Sequence, residues 1–196
     1  MITDATLILG NQVHWEKAHL KPAARARAHA VAQKIMGDTA RSIYEKISCH
    51  TTGLIPWHTI GIIHYRECDF AWTCNLAQGD PYKSVSRHVP KGRGPFHSWE
   101  EAAIDALMKA PPFAGRWTNW TAGGTLTILE KYNGLGYELY HHMTSPYVYG
   151  GTDQQMQGKY TADSHFDPSA WDTQLGTAAI YLAMREIDPS IKFQGE

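Results

Sequence analysis

The apolar positions of this chain fall mostly at helical spacing. The strongest pattern is Ile55-Pro56-Trp57-His58-Thr59-Ile60-Gly61-Ile62-Ile63-His64-Tyr65-Arg66-Glu67-Cys68-Asp69-Phe70, apolar on nearly every side until a charged end. Such a segment predicts a buried central helix rather than a surface one. Pro56 suits its first turn, where a missing N–H has no intrahelical partner, and Thr51 and Thr52 offer capping oxygens just upstream. Around it, residues 21–36 are alanine-rich and predict a helix on propensity, broken by Gly37-Asp38. A helix over about 39–49 follows, with Ile43 and Ile47 on one face. Ser98-Trp99-Glu100-Glu101 has the form of a capping box opening a helix that buries Ala103, Ile104, Leu107 and Met108 and stops before Pro111-Pro112. Further helices are expected over about 118–132, ended by Asn133-Gly134 and Gly136, and from Pro168 to Ile187 behind an Asp167 cap.

Three stretches break the helical pattern. Residues 1–12 read as irregular. Residues 71–97 are punctuated by Gly79, Asp80, Pro81, Pro90, Gly92, Gly94 and Pro95, with weak alternation over 82–89, and predict a short β-hairpin or extended lobe. Residues 137–166 are loop-rich and aromatic, with Tyr137, Tyr140, Tyr147, Tyr149, Tyr160 and Phe166. The expected architecture is a mainly α domain with a small β-hairpin lobe, spanning 1–196, with 1–38 as an N-terminal helical extension.

Composition narrows the function. The chain has 196 residues, 43% of them hydrophobic, and a net charge of −1, so nothing global favours nucleic acid. The first fifty residues carry Lys17, Lys21, Arg25, Arg27, Lys34, Arg41 and Lys46 against Asp4, Glu16, Asp38 and Glu45. That imbalance suits either an ordinary solvated face or an anionic envelope surface. Cys49, Cys68 and Cys74 form neither a disulfide framework nor a zinc spacing, and reduced thiols are expected. No positive n-region precedes an apolar core at the N-terminus, and no run is long and apolar enough to span a membrane.

The charged end of the central helix is the first candidate for chemistry. A carboxylate there meets the negative end of the helix dipole and an apolar wall, and both favour its protonated form. Glu67 therefore suits a general acid, although a Glu beside an Arg at a helix end is also an ordinary solvated ion pair. Asp80, thirteen residues on behind a glycine turn, could supply the second carboxyl that glycoside hydrolysis uses, with a cleft between lobe and helical body. As a residue of Gly-Asp-Pro it equally suits a plain turn. Asp69 is a nearer rival but points away by its spacing. The tyrosines near 132–149 could stack on sugar rings while Asn133 and phenolic hydroxyls bond their polar groups; some must instead be core. His64, one turn before Glu67, reads as a hydrogen-bonded core residue that could also reach a substrate. Pro56-Trp57-His58 and His165 with Asp172 echo zinc peptidases, but in reversed order and without a full ligand set, so no metal site and no cofactor are expected.

Taken as a set, Ile62-Ile63-His64-Tyr65-Arg66-Glu67, Gly79-Asp80-Pro81, His88-Val89-Pro90-Lys91-Gly92-Arg93, Trp99 to Leu107, Tyr132-Asn133-Gly134-Leu135-Gly136-Tyr137 and Ser145-Pro146-Tyr147-Val148-Tyr149 resemble bacterial and prophage lysozyme family proteins. These are similar to goose-type lysozymes and soluble lytic transglycosylases. The resemblance spans roughly residues 40–185. It implies a lysozyme-like helical fold and cleavage of the β-1,4 bond between N-acetylmuramic acid and N-acetylglucosamine in peptidoglycan. Glu67 would be the catalytic acid and Asp80 the second carboxylate; His64, Tyr132, Asn133, Tyr137, Tyr147 and Tyr149 would contact substrate. Cys68 stands where those relatives usually carry Ser, and their Gly-Leu-Met-Gln segment is absent. Without a second carboxylate the product would be a 1,6-anhydro sugar. The implied setting is a phage endolysin: a monomer made in the host cytoplasm, acting on glycan strands in the periplasm or wall, and dependent on a holin for access. A zinc-dependent peptidoglycan peptidase and a non-catalytic glycan-binding phage protein are the readings from other classes.

Overall fold

The computed structural model describes residues 2–162 and 164–196. Its helices are α1 (Asp4–Lys17), α2 (Pro22–Met36), α3 (Asp38–Ser48), α4 (Trp57–Cys68), α5 (Trp99–Lys109), α6 (Ala122–Asn133), α7 (Gly136–His141), α8 (Pro146–Tyr149) and α9 (Thr177–Ile187), with a 3₁₀ turn at Ala114–Arg116. Strands β1 (Lys159–Ala162) and β2 (His165–Asp167) form a two-stranded antiparallel sheet. Tyr160 pairs with Phe166, and a bulge follows. The protein is thus mainly helical with a small β element.

That β element is not where alternation placed it. Within 71–97 the strand-like pairing among the described residues is an isolated bridge, Cys74 to Pro81. Side chains there bond the backbone in place of a ladder. Asn75 Oδ1 accepts from the Ala77 N–H, Ser86 Oγ from Arg93, and Asp80 from Arg87 and His88. Such local bonds compete with sheet formation.

Three other expectations are corrected. Residues 1–12 are not irregular: Thr3 accepts from the Thr6 N–H and caps α1, with Asp4 in its first turn. The segment after Asp167 does not start a helix, because Asp167 and then Asp172 turn the chain locally by accepting from Ser169 and Gln174 N–H groups. The helix begins only at Thr177. Likewise α6 starts at Ala122, where Thr121 accepts from Gly124, rather than at Thr118.

The chain divides into two units. One comprises residues 34–120, the other 1–33 with 121–196. In the first, α4 is the central element: Ile60, Ile62 and Ile63 are fully buried, and α3 and α5 supply Tyr44, Ile47, Ala103 and Leu107. Gly61 sits where a Cβ would lie 2.3 Å from Ile35 Cγ2, so α4 and the end of α2 approach closely. In the second unit α6 is the central element, buried along its length to Glu130 and packed on α1, α8 and α9.

Candidate functional site

In the unit of residues 34–120, the last turn of α4 carries Glu67, half-buried. Asp69 caps this helix in the left-handed region (φ 45°), its N–H bonded to the Tyr65 carbonyl, which turns the chain away from the helix axis. The returning loop passes back against the helix end. At Gly79 (φ +72°) a Cβ would lie 3.5 Å from the Glu67 carbonyl oxygen, and Asp80 is the next residue. The Cys68 thiol donates to the Asn75 carbonyl at 3.6 Å. Asn75 in turn donates its N–H to the Asp80 carbonyl at 2.7 Å. The sequence pair Glu67 and Asp80 is therefore drawn into one neighbourhood.

Asp80 is a strongly held carboxylate. Its Oδ2 accepts the backbone N–H groups of Arg87 at 2.8 Å and His88 at 3.0 Å, while Oδ1 meets His88 Nδ1 at 2.7 Å. The His88 N–H first, with the Arg87 N–H and the His88 ring adding to it, holds the Asp80 carboxyl below the usual range against the opposing effect of desolvation, which is second in size to the His88 N–H. Farther along the same loop, Arg93 forms a bidentate pair with buried Asp105 on α5, fixing the loop's far end. Cys68, beside Glu67, is a protonated thiol: burial pushes it up, and Cys74 and Glu67 add to the shift.

His64 has no exposed surface. Trp72 and Trp99 lie with ring centroids 4.5 Å from it, and Phe70 and Tyr44 complete the enclosure. Burial lowers its pKa to about 4, against the opposing Ala71 carbonyl. That carbonyl does not reach hydrogen-bond geometry with Nε2. Tyr44, whose hydroxyl burial keeps protonated, lies 2.9 Å from Nδ1. A Tyr44 donor puts the imidazole proton on Nε2. His64 is thus the core residue its setting on an apolar helix predicted, and any influence on Glu67 runs through α4 rather than through contact with a ligand.

The remaining predicted residues lie in the other unit, on or after α6. Tyr132 is half-buried and Asn133 exposed at the helix end. Tyr137, Tyr147 and Tyr149 are buried. Tyr137 packs edge-on against Tyr160, and its hydroxyl accepts the Tyr160 N–H at 3.1 Å. Tyr149 donates to the Asn11 carbonyl and side chain at 3.0 and 2.9 Å. In this conformation Tyr132 and Asn133, not the three buried rings, present surface to a ligand. His165 on β2 is exposed and Asp172 pairs with Lys159 at 3.4 Å. Among the described residues no three His, Cys, Asp or Glu side chains converge as metal ligands.

The sequence reading passed over one constellation. Glu130 on α6 is buried and accepts from Asn11 Nδ2 at 2.9 Å; Asn11 lies on α1, in the stretch read as irregular. The signal was present in Thr3-Asp4 as a helix start, which sets Leu7, Asn11 and Trp15 on one face.

Comparison with family models, curated proteins and solved structures found no match for this chain.

Proposed function

We propose that the protein is a peptidoglycan-degrading glycosidase of lysozyme-like fold, a muramidase with Glu67 as general acid. The observation that supports the reading is the return of the Gly79-Asp80 turn onto the end of α4, which brings the backbone next to Asp80, a residue with a fixed, ionised carboxylate, against the helix terminus bearing Glu67. Glycoside hydrolysis uses one carboxyl that gives a proton to the leaving oxygen and one that stays ionised. Glu67 takes the first role. Asp80, kept ionised by its donors, takes the second by stabilising the oxocarbenium-like transition state or orienting water. The resemblance of the motifs around these residues to lysozyme family proteins supports the same assignment.

Glu67→Gln keeps the shape and removes the transferable proton, so release of soluble muropeptides from purified peptidoglycan is expected to fall by about 10²–10⁴. Wild-type release by that variant overturns the reading. The donors crowding Asp80 also favour a second route. A carboxylate whose oxygens are occupied by Arg87 and His88 acts as a loop anchor, and an enzyme without a free second carboxylate closes a 1,6-anhydro ring. Mass spectrometry of the products separates the two, since a reducing muramic acid and an anhydro end differ by one water.

A further inference from the structure

The unit built on α6 holds a pocket of about 320 Å³, separate from the residues assigned above to glycan cleavage. Its polar side is one-signed. Glu130 and Glu138 both line it, and no Lys or Arg does among the described residues. Lys131, next along α6, is instead bonded to Asp4 at 3.0 Å from each carboxylate oxygen.

Glu130 is presented by a fixed frame. Asn11 spends its two amide protons on Thr127 Oγ1 at 3.2 Å and Glu130 Oε2 at 2.9 Å, and its oxygen accepts from Tyr149. The other Glu130 oxygen, Oε1, has no donor among the described residues and is not sealed off, although the residue is only 5% exposed. A buried carboxyl thus turns one unpartnered oxygen toward a pocket that contains a second carboxyl and no fixed cation. Leu7, Met143 and Met156 give the same pocket an apolar wall.

We propose that this pocket binds a primary ammonium group carried on a short apolar stem, with Glu130 Oε1 and Glu138 receiving the charge and the methionines packing the stem. A guanidinium fits less well, because its fork needs two free oxygens on one carboxylate and Asn11 already occupies Oε2. Burial first, and Glu138 after it, raise the Glu130 pKa against the opposing Asn11 bond. His14 on α1 and His142 after α7 also face the pocket.

The ammonium could belong to a free small amine or to a lysine-type side chain of a peptide. The test follows the methyl resonances of Met143 and Met156 during titration with 1-aminopentane hydrochloride, and separately with a short peptide containing one internal lysine. Saturable shifts are expected with at least one probe, and none with 1-pentanol or sodium chloride. Tighter binding of one probe assigns the source. Glu138→Gln, at a half-buried position, should weaken binding about tenfold. Glu130→Gln should weaken it more, because its amide turns a donor toward the ligand once the Gln oxygen accepts from Asn11. Absence of saturable shifts with both amines, shifts reproduced by pentanol or salt, or affinity unchanged in both variants overturns the proposal. Wall lysis through Glu67 plays no part in these readouts, so the two assignments fail separately.

Discussion

Residues 34–120 bury two imidazoles, His58 and His64, beside a carboxyl, Asp105, that is paired with Arg93, whereas residues 1–33 with 121–196 bury the carboxyl of Glu130, bonded to an amide. Burial disfavours whichever form is charged, so it acts on the two with opposite sign. It lowers His58 and His64 from 6.5 to about 4, and it raises Glu130 above 4.5. For each histidine the folded value lies below the unfolded one. The unfolded chain therefore takes up the proton first as pH falls, and the stabilisation present above 6.5 is lost between 6.5 and 4. For Glu130 the folded value lies above the unfolded one. Its contribution is full below 4.5 and is lost as pH rises through the folded value. One chain thus holds two cores that respond to acid in opposite directions.

The largest effect should be seen in the first core. A shift from 6.5 to about 4 at 1.36 kcal/mol per unit is worth about 3 kcal/mol for each histidine. Amide hydrogen exchange, corrected for intrinsic rates, should show protection of α4 falling steeply from pH 6.5 to 4, while α6 holds or gains. Parallel loss in both helices would break the comparison. His64→Leu should flatten the α4 slope by about half, since one of its two buried imidazoles is gone, and lower stability at pH 7 by about 1–3 kcal/mol because Tyr44 loses its buried partner.

The next effect tests how each central helix meets its neighbour. At Gly61 on α4 an added Cβ meets side-chain atoms, Ile35 Cγ2 at 2.3 Å and Tyr44 Cε2 at 2.9 Å. At Gly123 on α6 it meets backbone, the Ile8 carbonyl oxygen at 2.3 Å. Side chains can turn aside, but a helix backbone must move as a body. Gly123→Ala is therefore expected to cost about 3 kcal/mol and Gly61→Ala nearer 1 kcal/mol, within the usual span for overpacked cores, read from urea midpoints at constant slope. The reverse order would show that Ile35 is the less yielding neighbour.

The two regions also differ in how far they could be read from sequence. α4 was legible because its apolar run, its proline at the start and its charged exit all point to one element, and half of the capping box expected for α5 forms: Ser98 Oγ accepts the Glu101 N–H, while the Glu101 carboxylate bonds the N–H of His97 rather than that of Ser98. Glu67 and Asp80 were legible as chemistry, but the three donors on Asp80 were not, since Arg87 and His88 reach it only through the fold of the loop. The other unit was harder to read. α1 has weak apolar periodicity, so its start rests on Thr3 alone, and the partner of Glu130 lies 119 residues away on it. The strands β1 and β2 are four and three residues long and lie in a tract whose aromatic residues obscure alternation. Long-range pairing of polar side chains leaves no periodic trace, and that is where the second constellation was hidden.

The smallest effect is the most discriminating. Glu130→Gln preserves the acceptor for Asn11 Nδ2 and removes the only ionisation in that buried frame. Burial raises the Glu130 pKa, so ionising this carboxyl at pH 7 costs stability that the amide does not lose. The variant should match or exceed wild type at pH 7 by up to about 1 kcal/mol and should lack the decline in α6 protection with rising pH. A loss of several kcal/mol at pH 7 would mean instead that the ionised carboxylate is itself a stabilising partner, with a cation close at hand. The contrast between the two cores would then be one of pairing, not of burial.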